Sequence, residues 1–104
     1  MSVVTVLRDL GLLKENGELD PDAVRDLCSA FVDAYMDNCP ECLDQDPEFW
    51  VLTSEQRVIH IVAYALTLYL KRNVSPLAVA SVVKVTKESI NACREAFERA
   101  GFRW

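Results

Sequence analysis

The sequence predicts an all-α fold: one small domain of about five helices around a buried central helix, closing in a helix-turn-helix over residues 75–101. Three observations predict it. Every periodic apolar segment repeats at the 3.6-residue spacing of a helix, and none alternates over a strand's length. The segments begin at residues that cap helices well, namely Ser2, Asp20, Thr53, Ser75 and Thr86. The chain is 51% hydrophobic over 104 residues, enough for one core without staples.

The elements follow in order. Ser2 caps a first helix reaching about Leu10, with Val3, Val6, Leu7 and Leu10 as its apolar stripe. Gly11 and Asn16-Gly17 break the chain that follows. Asp20, Pro21 and Asp22 supply a cap, a first-position proline and an acid in the positive first turn. Val24, Leu27, Cys28, Phe31, Val32 and Tyr35 then recur at helical spacing until Pro40 forbids helix at the residue before it. Asp46-Pro47 opens a single turn that sets Phe49 and Trp50 on the core. Thr53 and Gln56 form a capping box for a third long helix running to about Arg72. That helix is apolar nearly all round except for Gln56, His60, Tyr64, Thr67 and Lys71, so it is expected to be the buried central pillar.

Ser75-Pro76 starts the next helix, expected to bury Leu77, Ala80 and Val83. Thr86 caps the last, expected to bury Ile90, Cys93 and Phe97. Gly101 stops it in the left-handed conformation, and Phe102 makes the apolar contact beyond the stop.

Charge divides the chain. Residues 1–53 carry 12 acids and 3 bases, and residues 54–104 carry 4 acids and 8 bases, giving −5 in all. A net acidic chain is unsuited to indiscriminate nucleic-acid binding. Its basic half nevertheless holds the helix-turn-helix, and the acidic half suits a basic protein partner. The longest uncharged run, Val58 to Leu70, is too short to span a bilayer, and the N-terminus lacks a basic leader. No membrane association and a cytoplasmic location are expected.

A helix-turn-helix needs a small residue in its first helix, apolar residues flanking the turn and one midway along the second helix. Ala80, Val83, Val85 and Ile90 fill those positions, with Lys84 at the turn position commonly held by glycine. The stretch AYALTLYLKRNVSPLAVASVVKVTKESINACREAF resembles the second half of a cyclin-box repeat of the transcription factor IIB type, over roughly residues 60–100. The resemblance implies five helices around a buried third one, and last helices that contact promoter DNA or, in other cyclin-like boxes, only proteins. On a DNA reading, Lys84, Lys87, Asn91, Arg94 and Arg103 are the candidate contacts to double-stranded DNA, with Lys71 and Arg72 beside the backbone. Glu88, Glu95 and Glu98 oppose it by placing negative charge near phosphates. Proteins that read DNA this way commonly pair as homodimers.

Cys39 and Cys42, spaced as C-P-E-C, are half of a zinc site, with His60 as a third candidate metal ligand; no cofactor or bound metal is expected from so incomplete a set. Cys28 and Cys93 fall on apolar helix faces and are expected to act as small free hydrophobes. The carboxylates are scattered, and no catalytic triad, HExxH, phosphate-binding loop or GxGxxG is present. Glu41, Asp44, Asp46 and Glu48 form an acidic, aromatic-flanked segment suited to docking a protein. The expected function is therefore a non-enzymatic, transcription-related DNA-binding or regulatory protein, the alternative being an acidic adaptor or inhibitor that touches no nucleic acid.

Overall fold

The structure is a computed structural model that describes residues 2–38 and 47–104. Among these it contains six helices and no named strand: α1 Val3–Asp9, α2 Pro21–Asn38, α3 Pro47–Trp50, α4 Ser54–Leu70, α5 Pro76–Ala80 and α6 Lys87–Arg99. The all-α class holds. No helix among the described residues is long and apolar enough to cross a membrane.

Capping sets most of the boundaries. The side chains of Ser2, Thr53, Ser75 and Thr86 accept from Thr5 N, Gln56 N, Ala78 N and Ser89 N, each satisfying a backbone donor the helix cannot. Asp20 Oδ1 accepts from the N–H groups of Asp22 and Ala23 at the start of α2. Gln56 returns its Oε1 to Thr53 N at 3.0 Å and completes the capping box. Helix α6 stops at Gly101, whose φ of 91° costs a glycine little. Phe102 N donates to Phe97 O and Gly101 N to Glu98 O, while the Phe97 and Phe102 rings meet edge to face.

Helices α2 and α6 lie against each other and form the body of the core. Val24, Cys28 and Val32 of α2 and Ala92, Cys93, Ala96 and Phe97 of α6 are buried between them and α4. Arg25 spans their outer edge, 3.0 Å from Asp22 and 3.3 Å from Glu95. Phe49, delivered by α3, stacks on Phe97 at 6.0 Å, and Trp50 stands edge-on to the same ring. A fully buried side chain of this size contributes about 1.5–3 kcal/mol, so Phe97, touched from α2, α3 and the C-terminal segment, is a central fixing point.

Residues 12–20 fold into a small hook. Leu13 and Leu19 make an antiparallel bridge around the turn at Gly17, and Glu18 bridges in parallel to Lys84. Lys84 N donates to Gly17 O and Leu19 N to Lys84 O. The connector between α5 and α6 is thereby stitched to the hook, and Ser89 Oγ adds a buried bond to Leu19 O.

Four expectations need correction. Cys28 and Cys93 are not free hydrophobes; their sulfurs are bonded, with Cα atoms 5.5 Å apart, because the α2–α6 packing brings two small buried side chains face to face. Helix α4 is less buried than expected: besides Tyr64 of the polar stripe, Leu68 and Tyr69 are exposed, since α2, α5 and α6 leave that side of it uncovered. It also ends at Leu70, where Lys71 turns left-handed. Leu77 is 82% exposed and Ala80 is exposed; Val79 makes the buried contact of α5 instead, because a five-residue helix presents only one residue to α4.

Candidate protein-binding groove

The exposure of Tyr64 and Leu68 has a geometric origin. On α2, Leu27, Ala30, Phe31 and Ala34 share one stripe at i, i+3, i+4 and i+7, and on α4, Ile61, Tyr64, Ala65 and Leu68 share another. The two stripes line an apolar groove of about 140 Å³. Ala30, Ala34 and Ala65 are too small to fill the space between the helices, and Leu68, 61% exposed, stands at its edge. Leu27 lies with Leu68 at one end. Tyr35 lies with His60 in a second cavity of about 240 Å³ at the other, so α2 and α4 run antiparallel along the groove. Phe31, Ile61 and Tyr64 line both cavities, which therefore adjoin end to end as one stepped trough. Tyr64 meets Phe31 edge to face at 5.6 Å and divides the floor.

The rims differ. Asp26, Asp33 and Asp37 follow the outer edge of α2 at i, i+7 and i+11, all exposed, and none takes part in an ion pair among the described residues. The α4 side carries exposed His60 and Tyr64, part of the polar stripe seen in the sequence. Glu48, expected to contact a protein, lines the far end of the trough beside His60. Glu41, Asp44 and Asp46 lie outside the described residues, as do Cys39 and Cys42. His60 is exposed, and among the described residues no cluster of three or more His, Cys, Asp or Glu side chains is placed to hold a metal ion.

The candidate DNA contacts are only partly gathered. Lys87, Asn91 and Arg94 share the exposed face of α6. Lys84 Nζ lies 3.7 Å from Glu18, and Arg94 lies 3.9 Å from Glu98, so both cations already have acidic neighbours. Arg103 stands beyond the opposite end of α6 from Lys87, a helix about 20 Å long at 1.5 Å per residue. Exposed Lys87, Arg94 and Arg99 are matched by exposed Glu88, Glu95 and Glu98, leaving that face neutral. The Glu88 carboxyl is held below the usual range by its own backbone N–H and by the Thr86 hydroxyl, with Lys14 and Lys87 nearby, so it stays charged. Helix α5 leans on α4, and the stitched connector at Lys84 stands between α5 and α6.

A second cluster was not foreseen. Arg57 places its guanidinium 5.0 Å from the Trp50 ring and 5.3 Å from the Trp104 ring, and its Nη2 donates to Trp50 O at 2.8 Å. Partial burial lowers its pKa, but arginine remains charged. The groove itself left a faint mark in the sequence: alanines at 30, 34 and 65 interrupt stripes that otherwise carry large side chains.

No known protein family, curated protein or solved structure matches the chain.

Proposed function

We propose that the chain is a small non-enzymatic protein-binding module of the adaptor or inhibitor kind, which takes its partner on the α2–α4 groove. The observation that carries this reading is the apolar trough with three unpaired aspartates along one rim. A groove between two helices fixed by a shared core is ready to receive a side-chain stripe from another helix. Burying Leu68 and Tyr64 there removes apolar surface from water. The test is a display library of helical peptides selected on the wild-type chain and counter-screened on Leu68→Glu. Ligands that bind the first and not the second support the proposal. A library yielding none, beside tight binding of random duplex DNA at low salt, overturns it.

The second reading, DNA contact through α6 in a cyclin-box-like or helix-turn-helix manner, is favoured by the exposed run of Lys87, Asn91 and Arg94. The phosphate term is strongest at low ionic strength. Absence of duplex binding there removes this reading, and binding that survives Lys87→Glu with Arg94→Glu removes α6 as the reader. The Cys28–Cys93 bond bears on location. Such bonds persist in oxidising compartments and in the cytosol of hyperthermophiles, whereas other cytosols keep thiols reduced.

A further inference from the structure

Resting on the groove reading above, we infer that the occupant is an amphipathic α-helix of a partner protein whose basic residues lie along one edge only. Three features of the groove select it.

The first is length. The stripe from Leu27 to Ala34 covers eight residues of α2, a rise of about 10 Å at 1.5 Å per step. Two turns of a docked helix match that span, with apolar anchors at i, i+3 or i+4, and i+7. The alanines at 30, 34 and 65 leave room for the anchors, while Phe31 and Tyr64 set a raised step between them. An extended strand has no exposed sheet edge to join among the described residues, because those contain only isolated bridges.

The second feature is charge on the α2 side. Asp26, Asp33 and Asp37 stand about one to three turns apart along a single rim and have no cationic neighbour in ion-pair range among the described residues. Asp22, farther back on the same helix, differs in being paired with Arg25. A partner edge bearing Lys or Arg at matching intervals meets the rail directly. Such rim pairs steer encounter and choose partners more than they add affinity.

The third feature is the asymmetry of the trough. The opposite rim has no carboxylate between His60 and Leu70 on α4, and Glu48 stands only at the far end, so a cation along that edge loses hydration without gaining a partner. A helix basic all round is therefore disfavoured there, and one basic only toward α2 is preferred. This also separates the inference from loose attraction by a net charge of −5, which would not care about the edge.

Four synthetic 16-residue helical peptides test it, each with leucine at i, i+4 and i+7. One carries lysine on the α2-facing edge, one lysine on both edges, one glutamate on the α2-facing edge, and one only neutral polar residues. Fluorescence anisotropy gives the affinities, and amide shift mapping locates the contact. The expected result is tightest binding of the one-edge lysine peptide, with shifts at Ala30, Ala34 and Ala65. The triple variant Asp26→Lys, Asp33→Lys, Asp37→Lys should weaken it by about tenfold or more and reverse the preference toward the glutamate peptide. These aspartates are exposed, so the fold survives the change, which circular dichroism verifies.

Equal binding of the neutral and lysine peptides at the groove overturns the charged-helix inference while leaving the protein-binding proposal standing. Equal or tighter binding of the doubly lysine-edged peptide overturns the one-edge assignment in the same way. Groove-dependent self-association without peptide binding, lost in Leu68→Glu by sedimentation, makes a second copy the occupant and also overturns it. Failure of every peptide together with a monomeric chain overturns both the inference and the proposed function.

Discussion

Cys28 of α2 and Cys93 of α6 are joined across 65 residues of sequence, and both are fully buried. The bond closes most of the chain into one loop. Loop-closure entropy for that length corresponds to about 4 kcal/mol, and measured disulfides commonly give 2–4. Cys28→Ala with Cys93→Ala should lower the unfolding free energy by about 2–4 kcal/mol, read by urea titration. Because both sulfurs are shielded, reductant in native buffer should act slowly and denaturant should speed it. A thiol count of native and denatured protein checks this; rapid native labelling of Cys93 would contradict the buried crosslink.

Ser89 Oγ donates to Leu19 O at 3.0 Å, with Ser89 fully buried. The bond ties the first turn of α6 to the hook that also receives Lys84. Ser89→Ala leaves the Leu19 carbonyl without this donor, a loss of about 1–2 kcal/mol. Thermal unfolding should show the loss, and hydrogen exchange should rise at Leu19 and Lys84, whose backbone groups share the hook. A change confined to α6 amides would mean that the hook is held by other contacts.

The local features of this fold were legible because each rests on two or three neighbouring residues. Thr53 with Gln56, Ser75 with Pro76, and Gly101 with Phe102 act within one turn, so the chain order alone reveals them. The pairing of Cys28 with Cys93 was not legible. It depends on α2 and α6 facing each other, and apolar spacing says that a cysteine is inside without saying what lies opposite. Leu68 failed for a related reason. Its spacing announces a buried helix face, but α4 lacks a neighbour on that side, so the residue edges a groove instead of filling a core. The acidic rim was visible as composition; that Asp26, Asp33 and Asp37 border an apolar trough required the placement of α4.

Arg57 sits between two tryptophans and also bonds the Trp50 carbonyl. The guanidinium is flat, so it can face both rings while keeping that bond; an ammonium cannot reproduce the geometry. Arg57→Lys should cost about 1 kcal/mol, the scale of one cation–π contact at a partly exposed site. Tryptophan emission should shift as Trp50 and Trp104 gain mobility. Unchanged emission and stability would show that the rings are held by their aromatic neighbours, Phe49 and Phe97 among them, without the guanidinium.

Glu88 gives an acid-side signature. Its carboxyl is stabilised as the anion by the backbone N–H at the start of α6 and by Thr86, so its folded pKa is depressed. A depressed carboxyl contributes stability at pH values above its unfolded pKa and loses it as pH falls through the folded one. Glu88→Gln should therefore lower stability at neutral pH and leave it unchanged at strongly acid pH. The difference between the two unfolding curves should narrow as pH falls below the ordinary glutamate range. A difference that does not vary with pH would assign the effect to side-chain packing.

Lys71 closes α4 with φ of 53°, the one non-glycine positive φ among the described residues. A Cβ in the left-handed region crowds the following carbonyl and costs about 1 kcal/mol, a penalty glycine escapes. Lysine recovers a few tenths of that from the negative end of the helix dipole. Lys71→Gly should then stabilise the fold by about 0.5–1 kcal/mol, and Lys71→Asn by less, since asparagine tolerates the conformation only in part. Thermal melts of the three chains give the order. If Lys71→Gly is destabilising, the charge at the end of α4 outweighs the backbone strain.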